Sequence, residues 1–156
     1  MPLIGLDKVE KAIDNIVLEE NKRVKAIYTK YLSAIITMTP VHFKDGGRLR
    51  NNWFLTTGKP SASSSRKAEG EAATGSHNSV SKMPEFVMDK TIYFTNNLPY
   101  ANVVEYGGYP KNPKKGTNTS LTKGKPTYQF LSINGYSAQR PNGMVRINLV
   151  KMRNKL

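Results

Sequence analysis

The first forty residues alternate apolar and polar positions in the way that is typical of an amphipathic helix. Apolar side chains recur at steps of three and four from Val9 to Met38, and charged side chains lie between them. Asp7 and Glu10 have the spacing of a capping box, and Pro40 predicts the end of the helix because proline disfavours helical backbone at the preceding residue. The pattern predicts one helix of about 30 residues, about 45 Å long. Such a helix either lies across a sheet or projects toward a neighbouring subunit.

Three later segments have the composition of strands. NNWFLTTG, residues 51–58, is rich in aromatic residues and Thr, and as a strand it places Trp53 and Leu55 on one face. KTIYFTN, residues 90–96, is a second clear strand, and PTYQFLSI, residues 126–133, is a weaker one. These segments predict a small, mostly antiparallel sheet.

Two segments fit more than one structure. YANVVEYG, residues 100–107, fits either one or two helical turns or the end of a strand. In the tail from Pro141 to Leu156, the apolar residues that begin at Val145 alternate as in a strand, but they also fit a basic helix, which we favour for the terminal turns. The whole pattern predicts an α+β fold, in which the long amino-terminal helix packs on the small sheet.

Two long stretches lack the composition of a packed element. Residues 61–82 contain no aromatic residue and one large aliphatic residue, Val80, and residues 107–126 are rich in Gly, Pro, Lys and Thr. Neither stretch can offset the entropy of ordering its backbone by burying apolar surface, so both are predicted to be long flexible loops. We therefore expect a single domain over residues 1–156, with both loops available for contact with partners.

The net charge of +13 is distributed unevenly along the chain. Residues 1–40 contain six basic and five acidic groups, whereas residues 107–156 contain ten basic groups and no acidic group. A surface with this excess attracts polyanions, either nucleic acid or an acidic protein surface, although a solvated basic loop has the same composition.

The sequence offers little that could support catalysis. The chain has no cysteine, and His42, Asp45 and His77 do not make a convincing metal site because His77 lies in a predicted loop. Neither a G-x-S-x-G elbow nor a Walker A spacing is present. We therefore expect no enzymatic activity, no metal and no cofactor. The absence of an apolar run of about 20 residues also predicts synthesis in the cytoplasm and no membrane partner.

Three motifs occur in order behind the long helix: TPV followed by GGRLRNNW within residues 39–53, YANVVEYGGY at residues 100–109, and RPNGMVR at residues 140–146. This arrangement resembles the small tail-completion and head–tail joining proteins of tailed bacteriophages, including the minor tail protein Z type. In that family an Asp-Thr-Gly turn follows the helix, and a basic R-L-R leads into a strand. The chain departs from the pattern at HFKDGG, where two extra residues precede the acid and Gly46 replaces threonine.

The resemblance implies a structural virion protein without catalytic turnover. Such a protein forms a ring at the neck and joins the tail tube to the head connector after synthesis in the host cytoplasm. Its implied partners are other copies of itself, connector proteins, and the tail tube or tail terminator protein, with packaged DNA as a further contact. Two alternatives remain open, a tail terminator that caps the tube and a sequence-independent nucleic-acid-binding protein.

The motifs and the basic last third indicate which residues contact partners. These candidate interface residues are Arg48, Arg50, Tyr100, Glu105, Tyr106, Lys111, Lys114, Lys115, Lys123, Lys125 and Arg146. We expect Arg48 or Arg50 to pair with Glu105, in the same subunit or in the next one of the ring. Residues 45–47 are expected to reverse the chain, and Trp53 is expected to anchor the following strand in the core.

Overall fold

The structure is a computed structural model that describes residues 5–41, 45–108, 117–122, 125–129 and 132–156. Its elements, in chain order, are α1 (Leu6–Met38), α2 (Arg48–Asn51), β1 (Phe54–Thr57), α3 (Thr74–Ser81), β2 (Ile92–Thr95), α4 (Ala101–Tyr106), β3 (Thr117–Thr122), β4 (Lys125–Gln129), β5 (Ser132–Ile133), β6 (Tyr136–Ser137) and α5 (Val145–Arg153). Within the described ranges, the strands form three antiparallel pairs, β1 with β2, β3 with β4, and β5 with β6. This arrangement confirms the predicted α+β class with a long amino-terminal helix, and the antiparallel strands form three two-stranded sheets instead of the one small sheet predicted.

Helix α1 ends as the sequence predicts but begins differently. It spans 33 residues, and Thr39 follows it in extended backbone with φ −63° and ψ 122°, as expected for the residue before Pro40. The predicted capping box at Asp7 is wrong. Gly5 is the cap residue, with φ 115° and no side-chain hydrogen bond, and Asp7 lies inside the first turn. Its negative charge there is favourable at the positive end of the helix dipole.

The carboxyl end of α1 is held by side chains from distant parts of the chain. Arg50 donates from Nε to the Thr39 carbonyl at 2.7 Å, and Arg140 donates from Nε to the Met38 carbonyl. Trp53 donates from Nε1 to the fully buried hydroxyl of Thr39 at 2.9 Å. Cationic groups are favourable at the negative end of a helix, where the last carbonyls lack intrahelical partners.

The hydrophobic core forms where the second half of α1 meets β1, β2 and the shorter helices. Its buried members are Leu32, Ile35, Ile36, Leu49, Trp53, Ala73, Val80, Met83, Val87, Leu98, Ala101, Val104 and Met144. The ring of Trp53 stacks on Phe94 of β2, with centroids 4.9 Å apart and planes 10° from parallel. This contact confirms that Trp53 anchors the strand. The strand itself begins at Phe54 and not at residue 51, because α2 extends to Asn51 and Asn52 caps it.

The prediction of a long loop over residues 61–82 is wrong for its last third, which forms helix α3. The preceding connection is ordered by polar side chains from α2 and the residue after it. Asn52, which is fully buried, donates from Nδ2 to the Arg66 carbonyl at 2.9 Å and accepts from the Arg66 amide at 3.1 Å. Asn51, also buried, donates to a further carbonyl of the segment at 2.9 Å. Hydrogen bonds therefore replace the apolar burial that the segment lacks.

The serines of α3 satisfy backbone donors at the start of β1. The Trp53 amide donates to Ser76 Oγ at 2.9 Å, and the Leu55 amide donates to Ser79 Oγ at 2.8 Å. Both serines are buried. A Ser-rich composition, which predicted a loop, here supplies hydroxyl acceptors to backbone N–H groups that would otherwise be buried without a partner.

The predicted loop over residues 107–126 also differs from the structure, because β3 lies within it and pairs with β4. The weaker strand predicted at residues 126–133 corresponds to β4 and β5. Both ambiguous segments are helical, since YANVVEYG contains α4 and the tail contains α5.

Candidate functional site

Glu105, on α4, is buried and binds the amino-terminal end of α5. Its Oε2 accepts from the amides of Met144 at 2.7 Å and Val145 at 2.8 Å, and its Oε1 accepts from the Arg146 amide at 2.9 Å. Only 5% of Glu105 is exposed. The first N–H groups of a helix have no intrahelical partners, and a carboxylate there also complements the helix dipole. Glu105 thus caps α5 from another helix.

Arg146 completes this junction from the first turn of α5. Its Nε lies 3.2 Å from Glu105 Oε1, and its Nη2 donates to the Glu105 backbone carbonyl at 2.6 Å. The guanidinium also lies 5.1 Å from the centre of the exposed Tyr106 ring. The structure therefore brings together Glu105, Tyr106 and Arg146, three of the predicted interface residues.

Within the subunit, the predicted pairing of Arg48 or Arg50 with Glu105 is wrong, and the pairing across subunits stays a prediction. Arg48 donates to the Ser64 carbonyl at 3.2 Å, and Arg50 is engaged at the end of α1. Burial lowers the pKa of the Arg50 guanidinium, while the charge of Glu71 opposes that shift and the charge of Arg140 adds to it. Both α2 arginines therefore stabilise the fold of their own subunit.

Gly143, in the third motif, lies directly against the carboxylate. It has φ +74°, and a Cβ at this position would lie 2.4 Å from Glu105 Oε1. Gly107, at the end of the second motif, has φ +85°, and a Cβ there would lie 2.6 Å from the Gly135 carbonyl oxygen. Gly143 thus allows close approach at the junction of α4 and α5, and Gly107 allows close approach of the end of α4 to the turn between β5 and β6.

The predicted turn after α1 is confirmed and contacts the second motif. Asp45 Oδ1 accepts from the Gly47 amide at 2.9 Å, and Gly46 and Gly47 have φ +57° and +85°. A Cβ on Gly47 would lie 2.2 Å from the Gly70 carbonyl oxygen. Tyr100 donates its hydroxyl to Asp45 Oδ2 at 3.3 Å. Burial, and then the Asp45 charge, raise the pKa of Tyr100. Sequence reasoning missed this contact because the partners lie 55 residues apart.

The structure does not describe the side chains of the remaining candidate residues. Lys111, Lys114, Lys115 and Lys123 lie outside the described residues. Lys125 begins β4, where the backbone alone is described.

The first half of α1 carries an apolar surface that the sequence interpretation did not single out. This amino-terminal stripe consists of Leu6, Val9, Ile13, Ile16 and Val17, which are 39 to 64% exposed. The covered part of the helix begins at Asn21, which is buried. Its side chain donates to the Glu85 carbonyl and accepts from the Val87 amide. The same periodicity runs through both halves, so the sequence contains the stripe but does not reveal which half is covered.

A second apolar surface lies between α1, β2 and α5. This carboxyl-terminal groove has a volume of about 300 Å³ and is lined mainly by apolar side chains, among them Tyr28, Ile35, Phe94 and Leu149, with Lys90 also present. Leu149 is 45% exposed. The stripe and the groove are thus two separate apolar surfaces of the described chain.

Comparison of the chain with protein-family models, with curated proteins and with solved structures finds no match. Over the described residues, no group of acidic or histidine side chains is arranged to hold a metal ion. Nor does any described helix combine the length and apolar character needed to cross a membrane.

Proposed function

We propose that this protein is a structural subunit of the neck of a tailed bacteriophage, where copies of it form a ring that joins the tail tube to the head connector. The observation that carries the proposal is the amino-terminal stripe. Contiguous exposed apolar surface on a protein marks a site of contact with another protein. A subunit that functions inside an assembly requires such a surface.

The contacts among the three motifs support the resemblance to head–tail joining proteins. Glu105 of the second motif caps the helix that begins in the third, and Tyr100 of the second bonds Asp45, which lies between TPV and GGRLRNNW. These contacts indicate that the motifs describe one structural unit.

The chemistry of the junction favours a structural role over a catalytic one. Both carboxylate oxygens of Glu105 are occupied by donors of the same chain. A general acid or base must reach a proton on a substrate, and this carboxylate is buried behind α5. Its arrangement stabilises one relative position of α4 and α5.

The charge of the carboxyl-terminal region supports nucleic-acid binding as a second candidate function. Its described basic residues are Arg140, Arg146, Lys151, Arg153 and Lys155, and residues 132–156 include no acid. We favour an acidic connector surface as the partner, because a strongly basic pore lining would retain DNA that has to pass through. A DNA-binding role predicts a log affinity for duplex DNA that falls linearly with log salt concentration. Binding that persists at physiological salt would favour this second function.

Electron microscopy of a lysate tests the proposed function. The parent phage is given a nonsense mutation in this gene and grown in a non-suppressing host, with growth in a suppressing host as the matched control. DNA-filled heads beside unattached tails of normal length are the expected result. Tails of uncontrolled length would instead indicate a terminator that caps the tube. Infectious particles, or heads that never fill, would contradict the neck assignment.

A further inference from the structure

We propose that the amino-terminal stripe of one subunit docks in the carboxyl-terminal groove of the next, so that the occupant of the groove is a second copy of this chain. The inference rests on the proposed ring and identifies the two surfaces that form its repeating contact. It assigns a partner to both the stripe and the groove.

The stripe continues the buried face of its own helix. With 3.6 residues per turn, Leu6, Ile13 and Val17 lie on the same side of α1 as Val24 and Ile35, which pack in or against the core. The first 15 residues of α1, residues 6–20, are all exposed and extend about 22 Å beyond the covered part. The helix thus keeps its amphipathic pattern where the described part of its own subunit does not cover it.

The projecting half of α1 differs in charge from the rest of the protein. Residues 6–20 contain five acidic and two basic side chains, a formal charge of −3 in a chain of +13. By the helical period, Glu10 and Asp14 border the stripe, whereas Lys8 and Lys11 lie on the opposite side of the helix. The surface that would meet a partner is therefore apolar with an acidic border. Two such surfaces would repel each other, which disfavours pairing of stripe with stripe.

The groove has the complementary character. Its wall on α5 includes Leu149, and the exposed Arg153 follows one helical turn later, while Lys90 also lines the groove and lies 3.7 Å from Asp89. An apolar floor with Arg153 at its α5 edge matches an apolar helix face with an acidic border. Another copy of α1 fits the groove, because it carries an apolar face and an acidic border at helical spacing.

The contact cannot form within one subunit. Tyr28 and Ile35 line the groove and belong to the same continuous helix as the stripe. Ile13 lies 15 residues before Tyr28, about 22 Å along a rigid helix, so it cannot fold back without breaking α1. Because the two surfaces are different, the contact is heterologous and repeats from subunit to subunit, which produces a ring when the rotation closes.

Cross-linking between single-cysteine variants tests the contact, since the full chain contains no cysteine. Ile13→Cys and Leu149→Cys are purified separately with different tags, mixed, and treated with a short bismaleimide. The expected product is a cross-linked pair that contains both tags. Asn15→Cys is the matched control for Ile13→Cys, because Asn15 is exposed on the opposite side of the helix. Leu149→Cys should cross-link to Ile13→Cys at least about tenfold faster than to Asn15→Cys, because only Ile13 lies on the apolar face.

The possible results separate the inference from the proposed function. Equal cross-linking from Ile13→Cys and Asn15→Cys, Ile13-to-Ile13 products as the main species, or a monomer at every accessible concentration would overturn the docking. Unattached tails in the nonsense-mutant lysate would leave the neck function standing in each of these cases. Conversely, the expected cross-link together with a normal mutant lysate would support the self-contact and contradict the neck function.

Discussion

Replacement of Glu105 by glutamine perturbs the junction between α4 and α5 with little change in shape. The carboxylate accepts three backbone N–H groups and the Nε of Arg146. In either orientation, the amide nitrogen of Gln faces two donors that then lack an acceptor. Each unpaired donor costs about 1–3 kcal/mol, and loss of the charge at the helix terminus costs a further 0.3–2 kcal/mol or so. The expected loss of unfolding free energy is about 3–5 kcal/mol.

Urea unfolding followed by the fluorescence of the single tryptophan measures this loss, at low protein concentration so that self-association does not contribute. Thermal unfolding should show a Tm lower by roughly 6–20 °C for a chain of this size. Glu20→Gln is the matched control, because Glu20 is exposed and pairs with Arg23 at 3.1 Å, and its effect should stay within about 0.5 kcal/mol. A loss below about 1 kcal/mol for Glu105→Gln would refute the capping role.

Three further substitutions test other parts of the structure. Gly143→Ala should lower the unfolding free energy by at least about 2 kcal/mol in urea, because its Cβ would meet Glu105 at positive φ, and a neutral effect would contradict this geometry. Burial raises the pKa of Tyr100 in the folded protein. The contribution of Tyr100 to stability is therefore complete below about pH 10, the pKa of tyrosine in an unfolded chain, and is lost as the pH rises through the higher pKa of the folded state. Tyr100→Phe should therefore reduce the fall of Tm in alkaline solution, and an unchanged pH profile would contradict this cause. Asn52→Ala removes two side-chain bonds to Arg66 and should speed tryptic cleavage there by about tenfold or more, whereas an unchanged rate would mean that other contacts order the segment.

The predictions that the structure confirms depend on local pattern. The length of α1 follows from its apolar period, and its end follows from the restriction that Pro40 places on Thr39. The turn at residues 45–47 follows from an acid next to two glycines, because these residues adopt the turn backbone with little strain. Each of these interactions joins residues that are close in sequence.

The predictions that failed depend on contacts between distant residues. Composition predicted a loop at residues 61–82, but the buried Asn51 and Asn52 supply hydrogen bonds from outside the segment. Glu105 was expected to bind an arginine of α2, yet its partner lies 41 residues later on α5. In both cases the missing information is the partner, which has no signature in the local sequence.

The amino-terminal helix combines both kinds of information. Its apolar period specifies, from sequence alone, a face that must be covered along the whole of α1, because an amphipathic helix in water gains most of its stability from packing that face. The tertiary structure decides that the core covers this face only from about Asn21 onward and leaves Leu6 to Val17 exposed. A sequence pattern records that a surface is apolar, whereas the arrangement of the other elements determines which part of it remains for a partner.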